Sequence, residues 1–197
     1  MQGSIEKRGA VGIAWFDNPP VNAISHEVRQ GLMAAVDAAV SDHEIKALII
    51  ACRGRTFMAG ADITEFGSSP KPPGLPDVVM AMSESPILKV AAIFGTTLGG
   101  GFETALACDY RIAQSGSKVG LPEVKLGILA GAHGTQRLPR VANVEFALKV
   151  MTSGEPVSVE AAQEAGAVDR VTTGDLIEEA VKYAEELIEA AAPRRPI

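Results

Sequence analysis

Two glutamates and a run of glycines are the residues of this sequence with the clearest chemical potential. Three consecutive glycines, Gly99 to Gly101, follow an apolar stretch and precede a segment of helical character that begins with Glu103 in its first turn. Glu123 comes twenty residues after Glu103, directly behind Pro122. Two carboxyl groups that converge on one water molecule form an acid–base pair, in which one gives a proton and the other takes one. Partial burial would raise their pKa values towards the working pH.

The glycine run suggests a use for backbone N–H groups. A strand that ends in "FGTTLGGG" and turns into a helix leaves its first N–H groups without an intrahelical partner. Such donors suit an oxygen atom that gains negative charge during a reaction. A second Gly/Ala stretch, "FMAGAD" at 57–62, also follows a buried strand, so one N–H from each loop can polarise a single carbonyl group. The alternative is two ordinary tight turns, with Glu103 as a helix-start charge and Glu123 as an ion-pair partner of Lys125 or Arg137.

Several other chemistries lack their motifs. "GGGFET" reads G-x-G-x-x-T and lacks the third glycine of the dinucleotide-binding fingerprint. The sequence has no GxxxxGK[ST] phosphate loop and no G-x-S-x-G nucleophile elbow. No metal site is predicted, because the histidines lack ligand spacing and neither cysteine lies in a CxxC motif. We expect Cys52 and Cys108 to be buried free thiols, with a disulfide as the weaker alternative.

The composition bounds the fold and the partners. The chain has 197 residues, of which 47% are hydrophobic and only 5% aromatic, which predicts one domain with an aliphatic core. The net charge is -6 and no basic stripe is present, which argues against nucleic acid as a partner. The apolar runs are far shorter than the ~20 residues of a membrane helix, and the N-terminus lacks an apolar signal core. We therefore expect neither nucleic acid nor membrane among the partners.

The elements that must position these residues alternate between strands and helices, which is typical of the α/β class. Strands are predicted at 11–16, 47–52, 88–95, 110–113, 118–121 and 167–171. Helices are predicted after Ser25, at 100–108, at 144–154, after Ser158 and at 175–191. The Pro/Gly/Ser-rich stretch at 67–76 is predicted to be a surface loop or flap, with strand-like sequence resuming soon after it.

Four stretches carry a family resemblance: "FMAGAD", "LGGGFETALACDYRIA", "LPEVKLGILAGAHGTQRLPR" and "MTSG". They resemble the crotonase (enoyl-CoA hydratase/isomerase) superfamily, over about residues 10 to 190. The sequence of these stretches is most similar to the N-terminal hydratase/isomerase part of multifunctional β-oxidation enzymes. Those enzymes also carry an NAD-dependent 3-hydroxyacyl-CoA dehydrogenase. The resemblance implies a ClpP/crotonase-like α/β fold, a spiral of ββα units whose C-terminal helical part is truncated here. It also implies that residues 1–197 are one crotonase-like domain, a fragment of a longer multifunctional chain.

The resemblance assigns roles to individual residues. Ala61 and Gly100 match the two oxyanion N–H donors, and Glu103 and Glu123 match the two catalytic glutamates, Glu103 as base and Glu123 as acid. The residues that it implies for substrate binding are Val21, Ala59, Ala61, Asp62, Ile63 and Gly100. Arg53 and Arg55 are candidates for the phosphates of CoA, with simple exposed cations as the alternative. Ala130 and His133 stand where the family has Pro and Gly, and we expect His133 to face solvent rather than the acyl pocket.

The implied activity is the addition of water to 2-trans-enoyl-CoA, giving 3-hydroxyacyl-CoA in fatty-acid β-oxidation. Hydration needs no metal or redox cofactor, and NAD would be needed only by a downstream dehydrogenase domain. The alternatives are a Δ3-Δ2 isomerase, another acyl-CoA enzyme, or a CoA-ester-binding module that is inactive in isolation. The expected partner is an acyl-CoA thioester, and a homo-oligomer is left open. The expected compartment is the cytoplasm in a bacterium or the peroxisome in a eukaryote.

Overall fold

The chain alternates strands and helices along most of its length. The computed structural model describes residues 2–65, 69 and 71–197. Over these residues the strands are β1 (Ser4–Arg8), β2 (Val11–Phe16), β3 (Ala47–Cys52), β4 (Leu88–Ile93), β5 (Thr96–Leu98), β6 (Tyr110–Gln114), β7 (Lys118–Gly120), β8 (Val157–Ser158) and β9 (Arg170–Thr172). The α-helices are α1 (His26–Ser41), α2 (Leu75–Glu84), α3 (Gly100–Leu106), α4 (Gly134–Val141), α5 (Val144–Ser153), α6 (Val159–Glu164) and α7 (Leu176–Glu189). Two short 3-10 helices span Ile63–Glu65 and Pro122–Leu126.

The larger sheet is mainly parallel and is covered on both faces. Its strand order is β1-β2-β3-β4-β6-β9, and only β1 runs antiparallel to its neighbour. All six residues of β3 are buried, as the uninterrupted apolar run "ALIIAC" predicts for a strand with two covered faces. Helix α7 packs its Ala180 and Ala184 against one face, and helices α1, α2 and α3 contribute to the core on the other.

Strands β5, β7 and β8 form a second, smaller sheet. Strand β5 begins three residues after β4 ends and pairs in parallel with β7, so that Leu98 lies opposite Gly120. The N–H of Gly99 then donates to the carbonyl of Gly120 over 2.9 Å. This hydrogen bond holds the glycine run beside the end of β7, from which the chain leads directly to Glu123.

Helix α2 contradicts the sequence prediction for this region. A loop was predicted through residue 76 with strand-like sequence after it, whereas a helix begins at Leu75. Pro76 lies in the first turn, where a missing N–H costs no hydrogen bond, and Asp77 Oδ2 accepts the N–H of Gly74 over 3.1 Å. Proline and glycine therefore mark the start of a helix here rather than the continuation of a loop. Residues 66–68 and 70 of the predicted loop lie outside the described residues.

Other elements agree with the sequence or differ at their ends. Ser25 caps α1, since its Oγ accepts the N–H of Val28, and both cysteines are free and buried as expected. Strands β1 and β5 and helix α4, which contains Pro139, were not predicted. Helix α7 ends at Glu189 rather than at residue 191, and β9 covers 170–172 rather than 167–171. None of the helices within the described ranges is both long and apolar enough to cross a membrane.

Candidate active site

One cavity brings together the residues for which the sequence predicts chemistry. It has a volume of about 460 Å³ and is lined by Ala61, Gly100, Glu103 and Glu123, together with Ala59. It lies beside the loops that follow β3 and β4, and open α/β sheets bind their ligands at the carboxyl ends of the strands. The volume is within the range of small-molecule sites.

The two glycine- and alanine-rich loops meet because β3 and β4 are parallel neighbours. The N–H of Phe57 donates to the carbonyl of Phe94 over 2.9 Å, and the N–H of Leu98 donates to the carbonyl of Met58 over 3.2 Å. A further isolated bridge joins Ala59 to Leu98. These contacts place Ala61 against the glycine run: a Cβ built on Gly100 would lie 3.7 Å from the backbone nitrogen of Ala61.

The N–H groups of Ala61 and Gly100 have no hydrogen-bond partner in the described part of the chain. The N–H of Ile24 donates to the carbonyl of Gly60 over 2.9 Å, and the carbonyl of Ile24 accepts the N–H of Asp62 over 3.4 Å. Ile24 therefore bonds to the residues on either side of Ala61. Gly100 is the first residue of α3, so its N–H has no acceptor within the helix. Neither N–H meets a hydrogen-bond acceptor within residues 2–65, 69 and 71–197. Both donors are thus available to an oxygen atom in the cavity.

The glycine run is required by close approaches of the backbone. Gly99 has a φ of +51°, and a Cβ there would lie 2.8 Å from Oε1 of Glu123. A Cβ on Gly101 would clash with the carbonyl of Met58. Gly99 and Gly101 therefore have no room for a side chain. This lack of room accounts for the glycine run despite the conformational entropy that glycine loses on folding.

Glu103 is a buried carboxyl group at the base of the cavity. Its residue is only 2% exposed, and Oε1 accepts the N–H of Gly134 over 2.7 Å. Burial raises the pKa of Glu103 to about 7, and the negative charge of Glu123 adds to that rise. The hydrogen bond from Gly134, the backbone of Ala132 and the positive charge of Arg137 act in the opposite direction. Glu103 therefore changes protonation near neutral pH.

Glu123 reaches the same cavity from the 3-10 helix that follows β7. It is half-buried, and burial raises the pKa of its carboxyl group. Its Oε2 is buried and has no hydrogen-bond partner in the described part of the chain. The alternative ion pairs are not formed: Lys125 binds Glu155 at 2.7 Å, and Arg137 bonds to Ser83.

The residues expected at the CoA end are only partly brought to the cavity. Ala59 lines it, whereas Val21 and Asp62 do not. The carbonyl of Val21 accepts the N–H of Ala59 over 3.1 Å, so Val21 contacts the cavity wall at Ala59 without lining the cavity itself. Asp62 Oδ1 accepts hydrogen bonds from the N–H and the hydroxyl of Thr64, and these bonds close a local turn. Ile63 begins a 3-10 helix, and its side chain lies outside the described residues.

The two arginines considered for CoA phosphates are exposed and already make contacts. The guanidinium of Arg53 lies 4.3 Å from the ring centre of Trp15, and Nε of Arg55 donates to the carbonyl of Pro20 over 3.1 Å. His133 is the N-cap residue directly before α4, with a φ of +71°; it is half-buried and is not among the residues that line the cavity. No group of three or more His, Cys, Asp or Glu side chains that can hold a metal ion occurs in the described part.

The sequence did not identify the apolar wall of the cavity or the residues behind Glu103. Leu75, Leu126, Ile128 and Leu129 line the cavity, and Leu129 is 80% exposed. Leu75 begins α2, whereas the other three lie at the end of the second 3-10 helix and in the irregular segment after it. No hydrophobic period therefore assigns the four to a common wall. The hydrogen bond from Gly134 to Glu103 likewise depends on how two helices pack.

Comparisons with known proteins show the family to which the chain is similar. The model of the enoyl-CoA hydratase/isomerase family matches residues 6–194. The peroxisomal bifunctional enzyme of Homo sapiens is 44% identical over 182 residues, which cover 90% of this chain and 25% of that protein. A Bacillus subtilis protein named "Probable enoyl-CoA hydratase" is 42% identical over 165 residues, 80% of this chain and 64% of its own length. The chain thus spans about a quarter of the length of the human relative.

The solved structures give the same result. The crystal structure of enoyl-CoA hydratase from Bacillus anthracis superposes with a TM-score of 0.87 at 30% identity. The match covers 94% of this chain and 76% of that one, which confirms the crotonase fold that the sequence predicted. With the family model matched along nearly the whole sequence and relatives above 40% identity, this chain belongs to the enoyl-CoA hydratase/isomerase family.

Proposed function

We propose that this chain adds water to 2-trans-enoyl-CoA thioesters and forms 3-hydroxyacyl-CoA. The observation that carries the proposal is the shared cavity. It is lined by Ala61 and Gly100, whose N–H groups have no partner among the described residues, by buried Glu103 and by half-buried Glu123. The N–H groups of Ala61 and Gly100 would hold the thioester oxygen, and Glu103 and Glu123 would hold the water. This arrangement supplies the oxyanion stabilisation and the acid–base pair that the reaction needs.

In the proposed step, Glu103 takes one proton and Glu123 gives one, so the protons balance. Ionised Glu103 takes a proton from water while the water oxygen bonds to C3 of the substrate. The electrons of the C2=C3 bond move towards the thioester oxygen, where Ala61 and Gly100 donate hydrogen bonds. Protonated Glu123 then gives its proton to C2 as the enolate collapses. A proton passed from Glu103 back to Glu123 restores the starting state.

The state of each carboxyl group suits its proposed role. The pKa of Glu103, raised by burial to about 7, lets that group be ionised and still a useful base near neutral pH. Burial also raises the pKa of Glu123, which favours the protonated form required of an acid. The unpartnered Oε2 of Glu123 is free to contact substrate or water.

The CoA part of the substrate would lie along the loops around Val21 and Ala59–Asp62, with Ile63 as a further proposed contact. The carbonyl of Val21 is fixed by the N–H of Ala59, so this edge is preformed. Arg53 and Arg55 are exposed beside the same loops and would meet the phosphates. The apolar side chains of Leu126 and Leu129 leave the acyl end of the cavity hydrophobic.

Double-bond isomerisation is a second candidate activity, because it needs only one of the two carboxyl groups. The buried, unpartnered Oε2 of Glu123 would take a proton from C2 of a 3-enoyl thioester and return it to C4. Product analysis separates the two activities: hydration yields a 3-hydroxyacyl thioester, whereas isomerisation of 3-enoyl-CoA yields the 2-enoyl isomer. A CoA-ester-binding role without catalysis would give binding by calorimetry and no product.

The larger context of the chain is also a proposal. The human relative is named a bifunctional enzyme, which supports placing these residues in a longer multifunctional chain. NAD would then serve only a dehydrogenase domain elsewhere in that chain, since the proposed hydration uses no redox cofactor. Assembly into a homo-oligomer and a cytoplasmic or peroxisomal site of action remain predictions of the family resemblance.

The decisive test measures hydration of crotonyl-CoA by the unchanged chain and by Glu103→Gln and Glu123→Gln. We expect each substitution to reduce kcat by at least about 10²-fold, since each removes one partner of the acid–base pair. Glu155→Gln is the control, because Glu155 is an exposed glutamate whose partner is Lys125. Full activity in either cavity variant would remove that glutamate from its proposed role.

A further inference from the structure

Arg137 is a buried arginine that has no carboxylate partner among the described residues. It is 1% exposed, its Nε meets no acceptor in the described ranges, and no Asp or Glu oxygen there lies within 4.0 Å of its guanidinium. Its hydrogen bonds go to neutral groups of α2, from Nη1 to Ser83 Oγ at 3.1 Å and from Nη2 to Met80 Sδ at 3.7 Å. A buried charge without a counter-ion destabilises a fold, so packing alone does not account for this residue.

The position of Arg137 on α4 relates it to Glu103. Gly134 and Arg137 are three residues apart on α4 and therefore lie on the same face of the helix. That face meets α3, because the N–H of Gly134 donates to Oε1 of Glu103 over 2.7 Å. Long helical side chains also point back towards the preceding turn, which here is the turn that contacts Glu103.

We propose that Arg137 is a positioning residue whose buried positive charge favours the ionised form of Glu103. The inference rests on the proposed function for its catalytic meaning, since ionised Glu103 is the form that takes a proton from water. Among the described residues, two charges act on Glu103: that of Glu123, which also lines the cavity, opposes its ionisation, and that of Arg137, one turn from Gly134 on α4, favours it. The effect is mutual, because Glu103 also raises the pKa of Arg137, which burial lowers.

The test is a titration of Glu103 in the folded chain by NMR of 13C-labelled glutamate carboxyl groups, with Glu103→Gln used for assignment. In Arg137→Met we expect the pKa of Glu103 to rise, by up to about 1 unit, because an opposite charge is lost from its surroundings. Arg137→Lys keeps the charge and should return the pKa close to its original value. If Arg137→Met does not fold, Arg137→Gln supplies a neutral variant that can still donate to Ser83.

Arg111 provides a matched control for the loss of a buried arginine. It is also 1% exposed, but its Nη2 lies 3.3 Å from Oδ2 of Asp169, on a different part of the sheet. Arg111→Met should lower the melting temperature without changing the pKa of Glu103. An unchanged pKa in folded Arg137→Met or Arg137→Gln would overturn the proposal and leave Arg137 a structural role only.

Kinetics add an independent readout. A rise of one unit in the pKa of Glu103 would lower kcat/KM about fivefold at pH 7 and change it little at pH 9. A purely structural defect would lower kcat/KM to a similar extent at both pH values. The titration needs no turnover, so it tests the role of Arg137 even if the hydration activity itself is not found.

Discussion

The backbone N–H of Gly134 donates a 2.7 Å hydrogen bond to Oε1 of Glu103, so a carboxyl group of α3 caps the first turn of α4. A Cβ on Gly134 would lie 2.9 Å from the same oxygen, and the contact therefore depends on glycine. Burial opposes ionisation of this carboxyl group more strongly than the hydrogen bond favours it, and its pKa lies at about 7. A carboxyl group that joins two helices in this way affects both stability and chemistry.

The first prediction concerns stability. The pKa of Glu103 is about 7 in the folded chain, against an ordinary value of 4.5. The folded state thus binds more protons between these values, and stability falls as pH rises through this window. Glu103→Gln removes the charge and should raise the free energy of unfolding at pH 8.5 by up to about 3 kcal/mol, with almost no gain at pH 4.

Urea unfolding at the two pH values measures this difference. Glu155→Gln is the control, because it removes an exposed glutamate of the same chain. A gain of equal size at pH 4 and pH 8.5 would mean that the glutamine side chain packs better than the glutamate for reasons unrelated to charge.

The second prediction concerns the pH dependence of activity. Because Glu103 must be ionised to act as base, kcat/KM should rise with pH through about 7. Burial also raises the pKa of Glu123, so kcat/KM should fall where that acid loses its proton. Initial rates of crotonyl-CoA hydration from pH 5 to 10 give the profile, and a flat profile across neutral pH would contradict the role of Glu103.

The coupling between the two glutamates gives a third prediction. When Glu123 is ionised, its negative charge raises the pKa of Glu103, although less than burial does. Glu123→Gln should therefore lower the pKa of Glu103, the opposite direction to the change expected for Arg137→Met. NMR titration of the labelled carboxyl groups measures it, and an unchanged pKa would show that the two groups do not interact.

The convergence of the candidate residues on one cavity was predictable from the sequence, whereas the apolar walls of that cavity were not. Gly99 to Gly101 and Glu103 stand within a few residues of one another, so strand, turn and helix propensities place them directly. Ala61 joins them because parallel strands bring successive loops to one edge of a sheet. Arg137 depends on how α4 packs against α3 and α2, and no local pattern encodes that contact.

The prediction for α2 failed for a related physical reason. Pro72, Pro73 and Pro76 indicate a loop by composition, yet proline is well tolerated in the first turn of a helix. The four buried residues of α2 (Val78, Val79, Met82 and Ser83) are too few to outweigh that signal in the sequence. The packing of α2 against the rest of the protein therefore determines that this segment is helical and that Leu75 lies at the cavity.

A fourth prediction tests the close packing of the glycine run. Alanine at position 101 would place a Cβ against the carbonyl of Met58, which accepts the N–H of Leu98. Gly101→Ala should therefore cost roughly 1–3 kcal/mol in the free energy of unfolding. Gly131→Ala is the matched control, since its Cβ would meet only the carbonyl of Leu129 at 3.8 Å. Equal stability of the two variants would contradict the close approach of the two loops.

The last prediction isolates a single N–H group. Gly100→Pro removes the N–H proposed to hold the thioester oxygen, and no hydrogen bond of the described chain is lost with it. Proline suits the first position of a helix, so α3 can still begin at this residue. Gly100→Ala is the steric control, because it keeps the N–H and its Cβ meets the same side-chain end, Leu75 Cδ2, at 2.6 Å.

We expect kcat for crotonyl-CoA hydration to be lower in the Gly100→Pro variant than in Gly100→Ala by on the order of 10²–10³, the usual effect of losing one oxyanion donor. Melting curves of both variants establish that they are folded, so that the comparison reports on the donor. If folded Gly100→Pro hydrates crotonyl-CoA as fast as Gly100→Ala, the thioester oxygen is held elsewhere. The free N–H of Gly100 would then serve only to begin α3.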